Sequence, residues 1–196
     1  EGKKNMLING LVWMGEEQFM KTQIEEKLAQ GFSCIKLKIG AIDFDKELGL
    51  LRFIRQNFDA KTIEIRVDAN GAFNSNEALS KLNQLNEFEL HSIEQPIKAN
   101  QIQEMKLLCH QTPFPIALDE ELIGVFETED KRKLLEEIQP QYIILKPSLV
   151  GGFKGTLEWI SIAESLNIGW WITSALESNI GLNAITQFTF TLNNPM

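Results

Sequence analysis

The feature that most constrains the fold is a regular alternation of short apolar runs with longer amphipathic segments. Seven runs rich in β-branched and apolar residues predict strands at residues 6–13, 34–39, 62–67, 90–94, 116–118, 142–146 and 169–173. The amphipathic segments predict helices at residues 16–29, 43–57, 76–86, 101–110, 131–138, 154–166 and 181–191. Asp43 and Ser75 are candidate helix caps. Strands that alternate with helices in this way predict an α/β fold with a parallel sheet.

Such a sheet is either open and doubly wound or closed into a (β/α)₈ barrel. No strand leads into a G-x-G-x-x-G or P-loop pattern, which weakens the open alternative. Ionisable residues end one predicted strand after another, at the end where barrel enzymes carry their active sites. We therefore predict a TIM-type barrel and treat residues 1–196 as one domain. Because no eighth strand follows residue 191, we expect the sequence to be a fragment without its last strand.

The charged residues at the strand ends form a regular series. Neighbouring members are 25 to 30 residues apart, one strand and helix each: Lys38, Asp68, Glu94, Asp119 and Lys146. Charges at buried strand ends are costly unless they are paired or bind a metal. Three carboxylates offer the oxygen ligands that Mg²⁺ prefers, although each one alone would also suit a helix cap. A base beside a metal suits removal of a proton alpha to a carboxylate, because the resulting dianion needs a cation.

Six segments resemble the muconate-lactonizing subgroup of the enolase superfamily, also called the mandelate racemase/muconate lactonizing enzyme family, and most of all its o-succinylbenzoate synthases. They are 36–38 (Lys-Leu-Lys), 67–70 (Val-Asp-Ala-Asn), 93–96 (Ile-Glu-Gln-Pro), 118–120 (Leu-Asp-Glu), 144–152 (Ile-Leu-Lys-Pro-Ser-Leu-Val-Gly-Gly) and 173–178 (Thr-Ser-Ala-Leu-Glu-Ser). The resemblance implies a modified (β/α)₇β barrel. It also implies an α+β capping domain, which we expect to lie outside this sequence.

The resemblance implies a carbon–oxygen lyase of menaquinone biosynthesis. It would dehydrate 2-succinyl-6-hydroxy-2,4-cyclohexadiene-1-carboxylate to o-succinylbenzoate. Lys38 would be the general base, and Lys146 would stabilise the enediolate from the opposite face of the substrate. Asp68, Glu94 and Asp119 would hold Mg²⁺, for which Mn²⁺ could substitute.

Four further residues are implied as substrate-binding or supporting groups: Lys36, Asn70, Ser174 and Glu177. For Lys36 the alternative is a solvated residue on an outward strand face. For the segment 174–178 it is an ordinary cap of the last helix. These alternatives concern the supporting residues and leave the series of strand-end charges unchanged.

Two other functions remain open on the same residues. An N-succinylamino acid racemase or a dipeptide epimerase also needs two lysines across the substrate, which Lys38 and Lys146 would provide. A catalytically silent barrel fragment is the alternative from a different class.

The composition excludes several classes of partner. The net charge of −8 and the pI near 4.9 argue against nucleic acid, which needs a basic face. No apolar run approaches the ~18 residues that span a bilayer, so we expect no membrane partner. The two cysteines do not form a disulfide framework, which favours the cytoplasm. We expect a small-molecule carboxylate as substrate, and the composition is compatible with a homo-oligomer.

Overall fold

The computed structural model describes residues 6–192 and 194. Residues 1–5, 193, 195 and 196 of the predicted domain lie outside the described residues. The chain divides into two compact units. The N-terminal unit is Ile8–Ile116, and the C-terminal unit holds the described residues from Ala117 onward together with Met6 and Leu7.

The N-terminal unit is built from four strands, each followed by a helix. In chain order its elements are β1 (Gly10–Val12), α1 (Glu17–Ala29), β2 (Cys34–Lys38), α2 (Phe44–Asn57), β3 (Glu64–Asp68), α3 (Ser75–Leu85), a 3₁₀ turn (Asn86–Phe88), β4 (Ser92–Glu94) and α4 (Ile102–Gln111). The strands pair in parallel and in chain order. The register places Lys38 opposite Asp68 and Asp68 opposite Glu94, so three predicted site residues form one row.

The C-terminal unit continues the same alternation. Its elements are β5 (Ile116–Leu118, which begins one residue before the unit), a 3₁₀ turn (Glu120–Leu122), α5 (Thr128–Ile138), β6 (Tyr142–Leu145), α6 (Gly152–Ser165), β7 (Gly169–Ile172) and α7 (Asn179–Phe190). Strand β6 pairs in parallel with β5 and with β7. Its core includes Ala117, Ile144 and Trp171, with Tyr142 packed against them.

Alternation along the strands separates the two faces of the N-terminal sheet. Ile35, Leu37, Ile65, Val67 and Ile93 are buried, as are the apolar residues on the inner faces of helices α1 to α3. The residues between them on β2 and β3 are polar or ionisable: Cys34, Lys36, Lys38, Glu64, Arg66 and Asp68. Because side chains alternate with a period of two, these polar groups share the opposite face.

The structure corrects some predicted bounds. The first strand covers three residues of the predicted 6–13, because Leu7 and Ile8 are exposed and the backbone of Trp13 bonds the side-chain amide of Gln23. Asp43 caps α2 as predicted, accepting a hydrogen bond from the Asp45 amide at 3.0 Å. The cap of α3 is Asn74 rather than Ser75. No helix in the described part of the chain is long and apolar enough to cross a membrane.

We expect Arg55 to be a major stabilising residue of the N-terminal unit. From α2 its guanidinium donates to the backbone carbonyls of Phe88 (2.7 Å), Ile63 (2.8 Å) and Glu89 (3.2 Å). An Arg55→Met substitution should lower the free energy of unfolding by about 2–4 kcal/mol, because charged hydrogen bonds are lost together. Urea denaturation would measure this change. In the control Arg52→Met, a guanidinium lying over the Phe88 ring is lost, and the expected cost is below about 1 kcal/mol.

Candidate active site

The N-terminal unit brings together five of the predicted site residues at the carboxyl ends of β2, β3 and β4. Lys36 Nζ lies 3.0 Å from Asp68 Oδ2 and also donates to Glu94 Oε2. Lys38 Nζ lies 2.5 Å from Asp68 Oδ2 and 2.8 Å from Asn70 Oδ1. The two carboxylates are almost fully buried, Asp68 at 0% and Glu94 at 3% exposure. Lys36 is therefore part of this cluster. Its side chain lies against the two carboxylates rather than on an outward, solvated strand face.

The charges of this cluster depend on one another. Burial opposes ionisation of Asp68, but the ammonium groups of Lys36 and Lys38 overcome it and hold the pKa of Asp68 below its ordinary value. Burial likewise opposes the charge of Lys36, while Glu94 and Asp68 together raise the pKa of Lys36. The arrangement is a network of alternating charges on one sheet face. Because each buried charge contacts an opposite one, the cost of burying it is offset.

In the C-terminal unit the remaining predicted residues lie in the segments that follow β5, β6 and β7. Lys146 donates to Asp119, a buried carboxylate directly after β5. Ser148 donates to Glu177, whose second carboxylate oxygen accepts the backbone N–H of Ala175 at 2.7 Å. Burial opposes the charge of Glu177, and these hydrogen bonds lower the pKa of Glu177 below its usual value. Ser174 is half-buried in the same segment.

The donor chemistry of the carboxylates fits a hard divalent cation. Asp68 and Glu94 stand opposite each other on neighbouring strands and offer buried oxygen atoms, the ligand type that Mg²⁺ takes. Among residues 6–192 and 194, no three carboxylate, imidazole or thiol side chains are grouped closely enough to hold a metal ion as they stand. In the N-terminal unit the ammonium of Lys36 lies against both carboxylates.

Sequence reasoning missed a second polar layer beneath this cluster. Arg66 Nε donates to Glu64 Oε1 at 2.6 Å, and the thiol of Cys34 approaches the same oxygen at 3.4 Å. The signal was present, because Glu64 and Arg66 precede Asp68 by four and two residues and so share its face. This second layer lies on the same face of the sheet as the cluster, nearer the amino-terminal ends of β2 and β3.

We expect Cys34 to be chemically inert in the folded protein. Burial is the main cause that raises the pKa of its thiol to about 12; Arg66 lowers this pKa and Glu64 raises it further. A raised thiol pKa means that the neutral form dominates below it, so near pH 8 the reactive thiolate should be less than about one part in a thousand. Iodoacetamide labelling followed by peptide mass spectrometry should show slow modification of Cys34, and rapid modification after unfolding in urea. Equal rates in the two states would contradict this expectation.

The family of the chain follows from comparison with known proteins. The family described as enolase C-terminal domain-like matches residues 20–196, and the chain belongs to it. An o-succinylbenzoate synthase from Desulfotalea psychrophila is 58% identical over 188 residues, which are 96% of this chain and 51% of that protein. An N-succinylamino acid racemase from Thermus thermophilus is 34% identical over 158 residues, 81% of this chain and 40% of that protein.

A solved structure confirms the predicted class of fold. The crystal structure of MenC from Desulfotalea psychrophila matches with a TM-score of 0.91 and 55% sequence identity, covering 100% of this chain and 54% of that one. The predicted TIM-type α/β barrel domain of the enolase superfamily is therefore confirmed. The chain spans about half the length of the curated relatives it matches.

Proposed function

We propose that the protein is an o-succinylbenzoate synthase, a lyase that acts in the cytoplasm in menaquinone biosynthesis. The observation that carries this proposal is the 58% identity to a protein of that name across 96% of the chain. The arrangement of the N-terminal unit supports it, because Lys38 lies at a strand end beside Asp68 and Asn70, where a substrate carboxylate could be reached.

The proposed reaction assigns a distinct task to each lysine. Lys38, as a neutral amine, would take the proton alpha to the substrate carboxylate, and the electrons of that C–H bond would pass into the carboxylate. Lys146 would stabilise the resulting negative charge as an ammonium ion from the other face of the substrate. Lys38 would then give its proton to the ring hydroxyl, which leaves as water. The electron pair held in the enediolate would return to the ring and form the last double bond of the aromatic system. Proton transfer by a positioned base commonly contributes about 10²- to 10⁴-fold to the rate.

The carboxylates would prepare the site for this charge. Asp68 and Glu94, with Asp119 as the third ligand, would hold Mg²⁺, which supplies positive charge against the developing dianion when bound. Lys36 would balance the charge of Asp68 and Glu94. Asn70 would hold the Lys38 amine in place, and Ser174 and Glu177 would order the substrate side.

The test is turnover of 2-succinyl-6-hydroxy-2,4-cyclohexadiene-1-carboxylate by the full-length protein. Aromatisation changes the absorbance, so the reaction can be followed directly, with Mg²⁺, with Mn²⁺ and with a chelator. We expect turnover with either metal and its loss with the chelator. If the protein is folded and shows no turnover under any of these conditions, the proposal is wrong.

A second candidate is racemisation or epimerisation on the same residues. The 34% identity to an N-succinylamino acid racemase favours it, because a racemase also needs a base on each face of the substrate. Incubation of N-succinyl amino acids in ²H₂O, followed by chiral chromatography, would detect inversion together with deuterium uptake. Inversion without dehydration would favour this candidate, and the absence of both reactions would favour a silent barrel.

A further inference from the structure

Glu47 is a buried carboxylate outside the ionic cluster, and its contacts are almost all with one loop. It lies in the first turn of α2 and is 1% exposed. Its Oε1 accepts the backbone N–H groups of Gly40 at 2.6 Å and Ala41 at 3.2 Å, and that of Ile42 at the 3.5 Å limit. These residues form the loop between β2 and α2, residues 39–42. One oxygen atom therefore gathers the successive amides of this loop.

The loop follows the end of β2 and contacts the end of β3. It begins directly after Lys38, and the amide of Ile39 donates to the Asp68 carbonyl at 2.8 Å. Gly40 has φ +90°, and a Cβ built on it would lie 2.4 Å from the Cβ of Ala72. The loop is thus pressed against the segment that follows Asp68 and carries Asn70. A shift of the loop would move the end of β2 relative to that segment.

A buried carboxylate at position 47 is costly, and packing alone does not explain why the residue is a glutamate. Burial raises the pKa of Glu47, whereas the three backbone hydrogen bonds and the charge of Lys81 lower it. Leu48, Leu50 and Leu51, its neighbours on α2, show that the helix can bury apolar side chains. Gly40 and Ala41 are exposed loop residues, and Glu47 anchors their backbone amides to helix α2.

We propose that Glu47 is a positioning residue, whose carboxylate fixes the loop 39–42 and thereby keeps Lys38 aligned with Asp68 and Asn70. This inference rests on the proposed function, in which Lys38 is the base. Glu47 acts through the loop and does not touch the reacting atoms. Displacement of a reacting group by about 1 Å can cost on the order of 100-fold in rate.

The test compares Glu47→Met with Glu47→Gln in the full-length protein. Methionine fills a similar volume but has no acceptor for the loop amides, so we expect kcat to fall about 10- to 100-fold. The KM should change less than about 3-fold, because the groups that bind the substrate remain.

The variant Glu47→Gln keeps a carbonyl oxygen that can accept the loop amides. Its amide nitrogen replaces Glu47 Oε2, which has no hydrogen-bond partner among the described residues, so we expect kcat close to that of the wild type. Should Glu47→Met not fold, Glu47→Asp withdraws the oxygens by one methylene and should lower kcat in the same direction.

A matched control removes a carboxylate that also holds a loop, but at the other end of β3. Asp59 Oδ1 accepts the Thr62 amide at 2.8 Å and the Thr62 hydroxyl at 2.7 Å. Asp59→Ala should lower the melting temperature and leave kcat unchanged. If Asp59→Ala lowers kcat as much as Glu47→Met does, Glu47 contributes only general stability and the inference fails.

Hydrogen exchange separates failure of this inference from failure of the proposed function. The amides of Gly40, Ala41 and Ile42 should exchange faster in Glu47→Met than in the wild type, Glu47→Gln or Asp59→Ala. Unchanged exchange, or faster exchange with unchanged kcat, would overturn the positioning role. If the wild type dehydrates no substrate, the proposed function fails, and the variants are then compared by their kcat for racemisation. A wild type that catalyses neither reaction refutes the positioning role as well.

Discussion

Replacing Lys38 by alanine is expected to lower kcat for the proposed dehydration by about 10²- to 10⁴-fold, the usual contribution of a positioned base. The ammonium of Lys38 lies 2.5 Å from the Asp68 carboxylate and 2.8 Å from the Asn70 side-chain oxygen. Steady-state kinetics of the full-length protein would measure the loss. Lys46→Ala, which removes an exposed lysine of α2, is the control and should leave kcat unchanged.

Loss of activity in Lys38→Ala needs to be separated from loss of stability. Removing one partner of a buried ion pair commonly costs about 3–5 kcal/mol, because the other charge stays buried. Lys38→Arg avoids this problem, since arginine keeps the positive charge beside Asp68 but does not deprotonate to act as a base. We expect Lys38→Arg to melt near the wild-type temperature and to be as inactive as Lys38→Ala. Activity of Lys38→Arg within about 3-fold of the wild type would refute the role of Lys38 as base.

Asp68→Asn is expected to weaken Mg²⁺ binding by more than about 100-fold and to reduce turnover accordingly. Substitution of a group that only supports a metal ligand commonly lowers metal affinity or activity about 10- to 100-fold. Substitution of a ligand itself should lower the affinity further. Asparagine keeps the size of the side chain but removes the charge that Lys36 and Lys38 contact. Isothermal titration with Mg²⁺, alongside turnover, would measure both effects in the full-length protein.

Glu64→Gln is the matched control for Asp68→Asn. Glu64 lies on the same strand and face, four residues before Asp68, and its partner is Arg66 rather than a lysine of the site. The variant loses the same charge at the far end of the strand. We expect its Mg²⁺ affinity to stay within about 3-fold of the wild type. An equal loss in both variants would mean that general charge, rather than ligation by Asp68, controls metal binding.

The sequence predicted the strands best where the apolar run was short and bounded on both sides. Residues 116–118 were predicted as a strand, and β5 covers those residues. The prediction for β1 was too long, because an apolar run predicts a strand without showing whether a neighbour pairs with it. Leu7 and Ile8 are apolar yet exposed, and the Trp13 backbone bonds a glutamine side chain instead. Pairing depends on distant residues, which a local pattern does not contain.

The candidate site was predictable in its members and less so in its contacts. Repeat spacing assigns Lys38, Asp68 and Glu94 to neighbouring strands, and the structure has them there. The same reasoning did not reveal that Lys36 lies against both carboxylates, because side-chain reach depends on strand register. Glu47 was missed for another reason. Its role depends on the positive φ of Gly40 and on three amides turned toward one oxygen, and neither has a signature in the pattern of polar and apolar residues. The roles of Asp119 and Lys146 beside these residues stay predictions.

The position of Lys36 against both Asp68 and Glu94 makes this residue a constraint on folding as well as a neighbour of the candidate site. Loss of Lys36 would take a positive charge away from two buried carboxylates at once. Loss of one partner of a buried ion pair commonly costs about 3–5 kcal/mol. A loss of about 1–2 kcal/mol can already change the amount of a protein in the cell several-fold. Substitution of Lys36 would therefore lower the amount of folded protein, whatever its effect on catalysis.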